Sequence, residues 1–443
     1  MKTKPIRSIL FTTVLLTFFV ITCAVVIVSF AYKSSSNQPA ACAPPEQDCV
    51  MKTIFGVDGK ALALKINPVK LSEEEESSIN NGLNWIANAQ SPEGGWGAGT
   101  HAHQDVMDPH LVPADPATTA LVSMALLRTG STLTEGKFST QIKQATQFLL
   151  KAVEGWPDNQ LRLTTLTGTQ PQVKLGQNID AILTAQFFTN LLKYHEQHEW
   201  NDRMKQALNK CVSRIQKEQD NDGGWKDGGW APVLQSALAD NALESAKDAG
   251  VAVDNVVIER SKNYQKGNFD TATKSAITGK SAGILLYSLS STTRSSAKEA
   301  KKAKDIIVKA KRDGKLEEKA ELNEENLKYA GVDPAQAKEM ITAYKINESS
   351  KNEAMKDDVM SGFGSNGGEE FLSYLMTGES IIMQGGNEWK QWYDQMSKKI
   401  VQIQNENGSW NGHHCITSPV FCTASCLLIL SIQNDLQLPA KEF

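Results

Sequence analysis

One phrase of sequence recurs three times in this chain: WIANAQSPEGGW ending at Trp96, RIQKEQDNDGGW ending at Trp225 and KIVQIQNENGSW ending at Trp410. All three fit I-x3-Q-x3-G-G/S-W without a gap, so Ile86, Gln90 and Trp96 correspond to Ile215, Gln219 and Trp225, and then to Ile400, Gln404 and Trp410. Gapless agreement at that many fixed positions makes this a repeat protein, in which a unit buries its apolar face only against its neighbours.

The chemistry of the phrase is that of a joint. The Ile and the Gln four residues later share one face of a helix. Two small residues then turn the chain: Gly94 with Gly95, and Gly223 with Gly224, permit backbone angles that side chains resist. The Trp that follows can fold back over the turn with its indole N–H available to donate. The expected module is helix, glycine turn, tryptophan clasp, helix, and the role expected of Gln90, Trp96, Gln219, Trp225, Gln404 and Trp410 is structural.

The intervals between the copies are longer than one helix pair needs, so worn copies are expected between them. Gly155 with Trp156, the stretch QKGNF ending at Phe269 and SGF ending at Phe363 fill the gaps and bring the count to six units. Each is followed by an apolar helix rich in Ala, Ser and Thr, such as ATTALVSMALL or FCTASCLLILSI. The helices before the clasps, such as TQIKQATQFLLKAV, carry a one-sided apolar stripe. Inner and outer helices of a double layer differ in that way. Residues 294–358 break the pattern, with roughly twice the 22% charged share of the whole chain. They form strong helix-forming runs interrupted by a Gly and a Pro, and are expected to be an inserted, solvent-exposed helical hairpin.

Residues 8–32 carry no charge and are long enough to cross a bilayer. Lys2, Lys4 and Arg7 precede them, which puts residues 1–7 in the cytoplasm and the rest outside. A single-pass signal-anchor, a Ser-, Pro- and Ala-rich linker over 33–70 and a main extracytoplasmic domain over 71–435 follow as the expected organisation. The net charge of −4 offers no basic surface for nucleic acid. Cys211, Cys415, Cys422 and Cys426 lie in helical patterns and read as buried thiols.

The Gln-Gly-Trp phrase resembles the QW repeat of squalene and oxidosqualene cyclases, within the wider prenyltransferase and squalene-oxidase repeat superfamily, over about residues 75–435. The resemblance implies an all-α fold, an α/α toroid of six inner and six outer helices, with an apolar or isoprenoid-like ligand entering at one end. It does not carry the chemistry across. Squalene-type cyclases use D-x-D-D-T-A, and no D-x-D-D occurs here. Protein prenyltransferases would need a D-x-C pair and thioester domains G-C-G-E-Q, both missing from the sequence.

What remains is D-x3-T-A, at Asp115 with Thr119 and Ala120 and at Asp180 with Thr184 and Ala185, together with Asp270, which is expected to open another inner helix. These three are the candidate acid or base groups, set against a plain reading as helix N-caps. Only seven histidines occur. His101 and His103 follow the first clasp, and His413, His414 and Cys415 follow the last, so a closed ring would bring both loops to one seam. Imidazole and thiolate suit zinc or another divalent metal, and the cluster is a candidate metal site set against a reading as polar loop residues. Two functional classes stay open: binding or processing of an isoprenoid-like ligand, and a noncatalytic scaffold that presents the toroid to a protein partner.

Overall fold

A computed structural model of the chain describes residues 69–436 apart from 195–197, 226, 271, 363, 366 and 385–387, together with a short antiparallel pair, β1 (Cys49–Lys52) with β2 (Asp58–Ala61). The apolar run at 8–32, most of the linker and Phe363 lie outside the described residues. Among the described residues no helix is long and apolar enough to cross a membrane.

The fold is all-α, with fifteen α-helices among the described residues: α1 (Glu73–Asn88), α2 (Pro116–Arg128), α3 (Ser139–Glu154), α4 (Gln170–Leu175), α5 (Ile179–Leu192), α6 (Asn201–Lys217), α7 (Pro232–Asp248), α8 (Asn255–Lys266), α9 (Leu285–Arg312), α10 (Glu324–Tyr329), α11 (Pro334–Ala354), α12 (Asp357–Ser361), α13 (Gly368–Gln384), α14 (Glu388–Gln402) and α15 (Pro419–Leu430). Their starts are written in sequence. Ser72 caps α1 in a reciprocal box with Glu75, ahead of a first turn made of four glutamates. Asp115, Asp333 and Ser418 cap α2, α11 and α15, each with a proline at the first helical position.

Two helix types alternate. α2, α5, α7, α13 and α15 are buried nearly all round, and their Ala, Ser and Thr side chains let neighbouring helices approach closely. α6 represents the other type, with Met204, Ala207, Leu208, Cys211, Val212 and Ile215 forming one buried stripe while the opposite face is charged. The five all-buried helices and α9 form a cycle of neighbours: α2 packs on α5, α5 on α7, α7 on α9, α9 on α13, α13 on α15, and α15 returns to α2. Helices α1, α3, α6, α8, α11 and α14 lie against members of that cycle.

The three clasps are built alike. The indole N–H of Trp96, Trp225 and Trp410 donates to the carbonyl of Ile86, Ile215 and Ile400, at 2.8, 2.7 and 2.8 Å. Each Gln amide donates twice. Gln90 Nε2 reaches its own turn at Gly94 O and then Gln141 O on α3; Gln219 reaches Gly223 O and Val257 O on α8; Gln404 reaches Gly408 O and Ser78 O on α1. The clasp thus ties the helix before it to the amphipathic helix of a following unit, and the last copy ties the final unit to the first. Gly94, Gly223 and Gly408 adopt φ of +91°, +92° and +90°, and a side chain there would run into the backbone of Gln144, Arg260 and Asn81 on those same neighbouring helices. Of the expected worn copies, Trp156 and Phe269 are buried just after α3 and α8, but the Trp156 indole donates forward to Gln160 O, so it does not repeat the clasp bond.

Residues 294–358 are helical as expected, yet they are not an appendage. α9 enters the cycle at Leu285 and continues through this stretch to Arg312, where Ala297, Ala300, Ala303, Ile307 and Ala310 make a buried stripe. Along it packs α11, through Ala337, Met340, Ala343 and Ile346, and Asn347 and Ser350 bond to Thr293. The high charge misleads because charged residues cover the remaining faces of both helices. Lys351 is itself buried and paired, at 2.6 Å from Glu388 and 2.9 Å from Glu348.

Candidate functional site

The beginnings of all six helices of the cycle meet at one end. Asp115, the N-cap of α2, and Asp180, in the first turn of α5, both turn toward the Ala117 N–H. Gln235, in the first turn of α7, accepts from Asn178 N at 2.9 Å just before α5. Val233 N donates to Lys280 O in the segment leading to α9, and Glu369, in the first turn of α13, accepts from Ile416 N at 3.1 Å ahead of α15. The positive ends of six helix dipoles therefore face one end of the helix cycle, and the carboxyl groups placed there are of the sign that such ends favour.

Helix α4 lies across this end and is buried along its length. Gln170 Oε1 accepts from Thr417 N at 2.7 Å and from Ser418 N at 3.1 Å, while its Nε2 is buried with no partner among the described residues. Gln172 Nε2 donates to Asp180 Oδ2 at 2.8 Å and to Leu166 O at 3.1 Å. Trp230 N and Ala231 N donate to Val173 O and Lys174 O, and the Lys174 ammonium rests 3.7 Å above the Trp230 ring.

The two aspartates expected as acids form the most deeply buried carboxyl pair of this end. Asp115 accepts from Thr118 N and Thr118 Oγ1 at 2.8 and 2.9 Å and from Ala98 N at 2.9 Å; Asp180 accepts from Ala117 N at 3.1 Å and from Gln172. Burial pushes Asp115 up to about 6 in spite of those bonds. Burial, reinforced by the charge of Asp115, pushes Asp180 up to about 7. Thr119 and Thr184 of the same motif differ in use: Thr119 Oγ1 accepts from Trp96 N at 2.9 Å and so joins the motif to the clasp, whereas Thr184 Oγ1 is buried without a partner among the described residues.

Asp270 stands apart. It does not open an inner helix but lies in a two-residue strand, β3 (Phe269–Asp270), paired with β4 (Ser275–Ala276), and α9 begins only at Leu285. Bonds from Ala272 N and Thr273 hold the Asp270 carboxylate below the usual range.

The two loops expected to share a seam do meet. The Gln104 amide donates to Cys415 O, and Thr417 Oγ1 donates to Gln104 O at 2.7 Å. His101 and His103 form a short 3-10 turn in the first loop, and His413 and His414 are exposed in the second. The expected metal site does not follow from this: among the described residues no group of three or more His, Cys, Asp and Glu is arranged to hold an ion.

The seam instead isolates Cys415. Cys211, Cys422 and Cys426 are buried as expected, but Cys415 is partly open and holds a left-handed backbone, φ +69°. His414 Nδ1 lies 2.8 Å from its Sγ. Glu369 and Lys174 act on the same thiol from α13 and α4, and burial together with the Glu369 charge pushes it up to about 11. Tyr287, from α9, is raised by burial and then by Glu369. Burial and then Lys174 lower His101. Lys174, Glu369, Tyr287, Gln104 and Gln170 were not legible as site residues, since they come from four separate segments; the doubled acid at the head of GEEFLSYL was the one local signal.

At the far end, Arg128, the last residue of α2, is fully buried. It pairs with Asp435 at 2.6 Å and with Glu379 of α13, and donates to Leu428 O at 2.9 Å. One end is thus titratable and partly open, and the other is locked by ion pairs.

These features define an all-α protein with a cluster of buried polar groups where its central helices begin. No family model matches the sequence, and no curated protein matches it. Solved structures of the type II terpene cyclase MstE from Scytonema align with 82% of this chain at a TM-score of 0.32: a variant in complex with merosterolic acid A (14% identity, 98% of that chain), an apo variant (13%, 98%) and the apo enzyme (12%, 100%).

Proposed function

We propose that this chain is an α/α toroid of six inner and six outer helices that takes an amphiphilic, isoprenoid-like ligand at the end where the inner helices begin, and that it works outside the cytoplasm, tethered by its apolar N-terminal segment. The observation that carries the reading is the convergence of six helix starts on one polar mouth, while the opposite end is tied shut by Arg128, Glu379 and Asp435. Apolar side chains stand exposed in the segments that lead into those starts: Met107, Leu111, Trp230, Ile277 and Leu285. A hydrocarbon tail on that rim with a polar head toward Lys174 suits the division of polarity.

Proton-initiated cyclisation is not part of the proposal. Asp115 and Asp180 hold a proton near neutrality, as a general acid must, but all four of their oxygens already accept hydrogen bonds from the chain. We assign them a structural role, as hydrogen-bond acceptors that hold α2, α4 and α5 together. The same observation favours a second reading, a noncatalytic scaffold, because α4 fills the mouth. Purifying the full chain from membranes and analysing its extracted lipid by mass spectrometry separates the two. A stoichiometric isoprenoid is expected; recovery of bulk phospholipid alone would leave the scaffold.

A further inference from the structure

The Cys415 neighbourhood is a built cluster that shares Lys174 with the ligand reading above, though its chemistry does not rest on that reading. Of Cys211, Cys415, Cys422 and Cys426, Cys415 is the one that solvent reaches, the other three being fully buried. Its left-handed φ of +69° costs backbone energy for a residue with a side chain, so the loop is held in that form by its surroundings. Gln104 holds the Cys415 carbonyl, and Thr417 and Ser418 are held by Gln170. His414 Nδ1 sits 2.8 Å from Sγ, within reach of the thiol proton. Gln170 supplies a further observation. Its side chain is 1% exposed, its oxygen is fixed by the backbone two and three residues beyond the thiol, and its Nε2 has no acceptor among the described residues. That amide thus fixes the segment that directly follows the thiol.

We infer that Cys415 is a nucleophile and His414 its base, forming an acyl-transfer site for activated carboxylic esters or thioesters at the mouth. The thiol proton passes to His414 Nδ1 as sulfur bonds to the carbonyl carbon. The C–O or C–S bond of the substrate then breaks, and the leaving group takes the proton back from His414. Water, deprotonated by His414, attacks the S-acyl carbon in turn, the S–C bond breaks, the free acid leaves and the thiol is restored. Charges facing the thiol from other elements are Glu369 on α13, Lys174 on α4, and, more remotely, Tyr287 on α9 and His101 in the first loop. Glu369 disfavours a standing thiolate, so the proton moves during attack and not before it.

The test uses the full chain and p-nitrophenyl acetate. A burst of nitrophenolate is expected, with one acetyl group on Cys415 by peptide mass mapping and none on Cys211, Cys422 or Cys426. His414→Gln should slow the burst at least tenfold, within the usual range for loss of a general base, about 10²- to 10⁴-fold. Cys415→Ala should abolish it. Acetylation spread over lysines with none on Cys415, or a His414→Gln burst as fast as the parent, would overturn the assignment. Should Cys415→Ala fail to fold, the site of acetylation in the parent decides alone.

Discussion

Asp115 and Asp180 bring two carboxyl groups into one dry pocket, where a single negative charge is tolerable and two are not. Both hold protons more tightly in the folded chain than unfolded: about 6 and about 7, against an ordinary value of 3.8. The folded state therefore binds more protons through the window from about pH 4 to about pH 7, and stability falls as pH climbs through it. Asp240, raised to about 7 by burial and by Glu244, adds to the same slope. Asp180→Asn removes one titration and the repulsion with it, so the urea midpoint of the variant should fall less than that of the parent between about pH 5 and about pH 8. An equally steep fall would mean that the pair is ionised in the folded state. At this scale the sequence shows the clasp residues, because their spacing is local and repeated. It does not show that Gln172 or Ala117 would complete the carboxyl pocket, because neither carries a periodic signal.

An outer helix of this protein has little to hold it except its stripe and its clasp. Gln90, Gln219 and Gln404 each span two elements with one amide, and loss of such a bond at a partly buried site costs about 0.5–1.5 kcal/mol, more when the carbonyls are left dry. Gln404→Ala should therefore raise amide hydrogen exchange in α1, and Gln90→Ala in α3, each without loosening the other helix. Exchange that rises evenly over the whole chain in both variants would show the clasps to be global props and not local ties. Helix type was legible here from composition, since small residues mark helices buried all round and stripes mark those half-buried. Residues 294–358 misled because charge density was read without its phase: Ala297, Ala300, Ala303 and Ile307 already recur at helical spacing inside the charged run.

Over the whole molecule, closure rests on residues far apart in the chain. Arg128 meets Glu379 and Asp435, and Gln404 meets Ser78, contacts that join the first unit to the last two. Arg128→Met strands two buried carboxylates and should destabilise the fold by about 3–5 kcal/mol, read as a loss in the denaturation free energy. A loss below about 1 kcal/mol, the size typical of exposed pairs, would mean that water reaches the triad. Nothing in the sequence near Arg128 announces these partners. They become neighbours only once the units are counted and the circle is drawn.

The bond from Gln404 to Ser78 has one more implication. It repeats, donor for donor, what Gln90 does to Gln141 and Gln219 to Val257, although no peptide runs directly from one partner to the other around the seam. The helices stand in cyclic order of contact among the described residues. A chain permuted to begin at another unit would present each clasp with the same partner it has now.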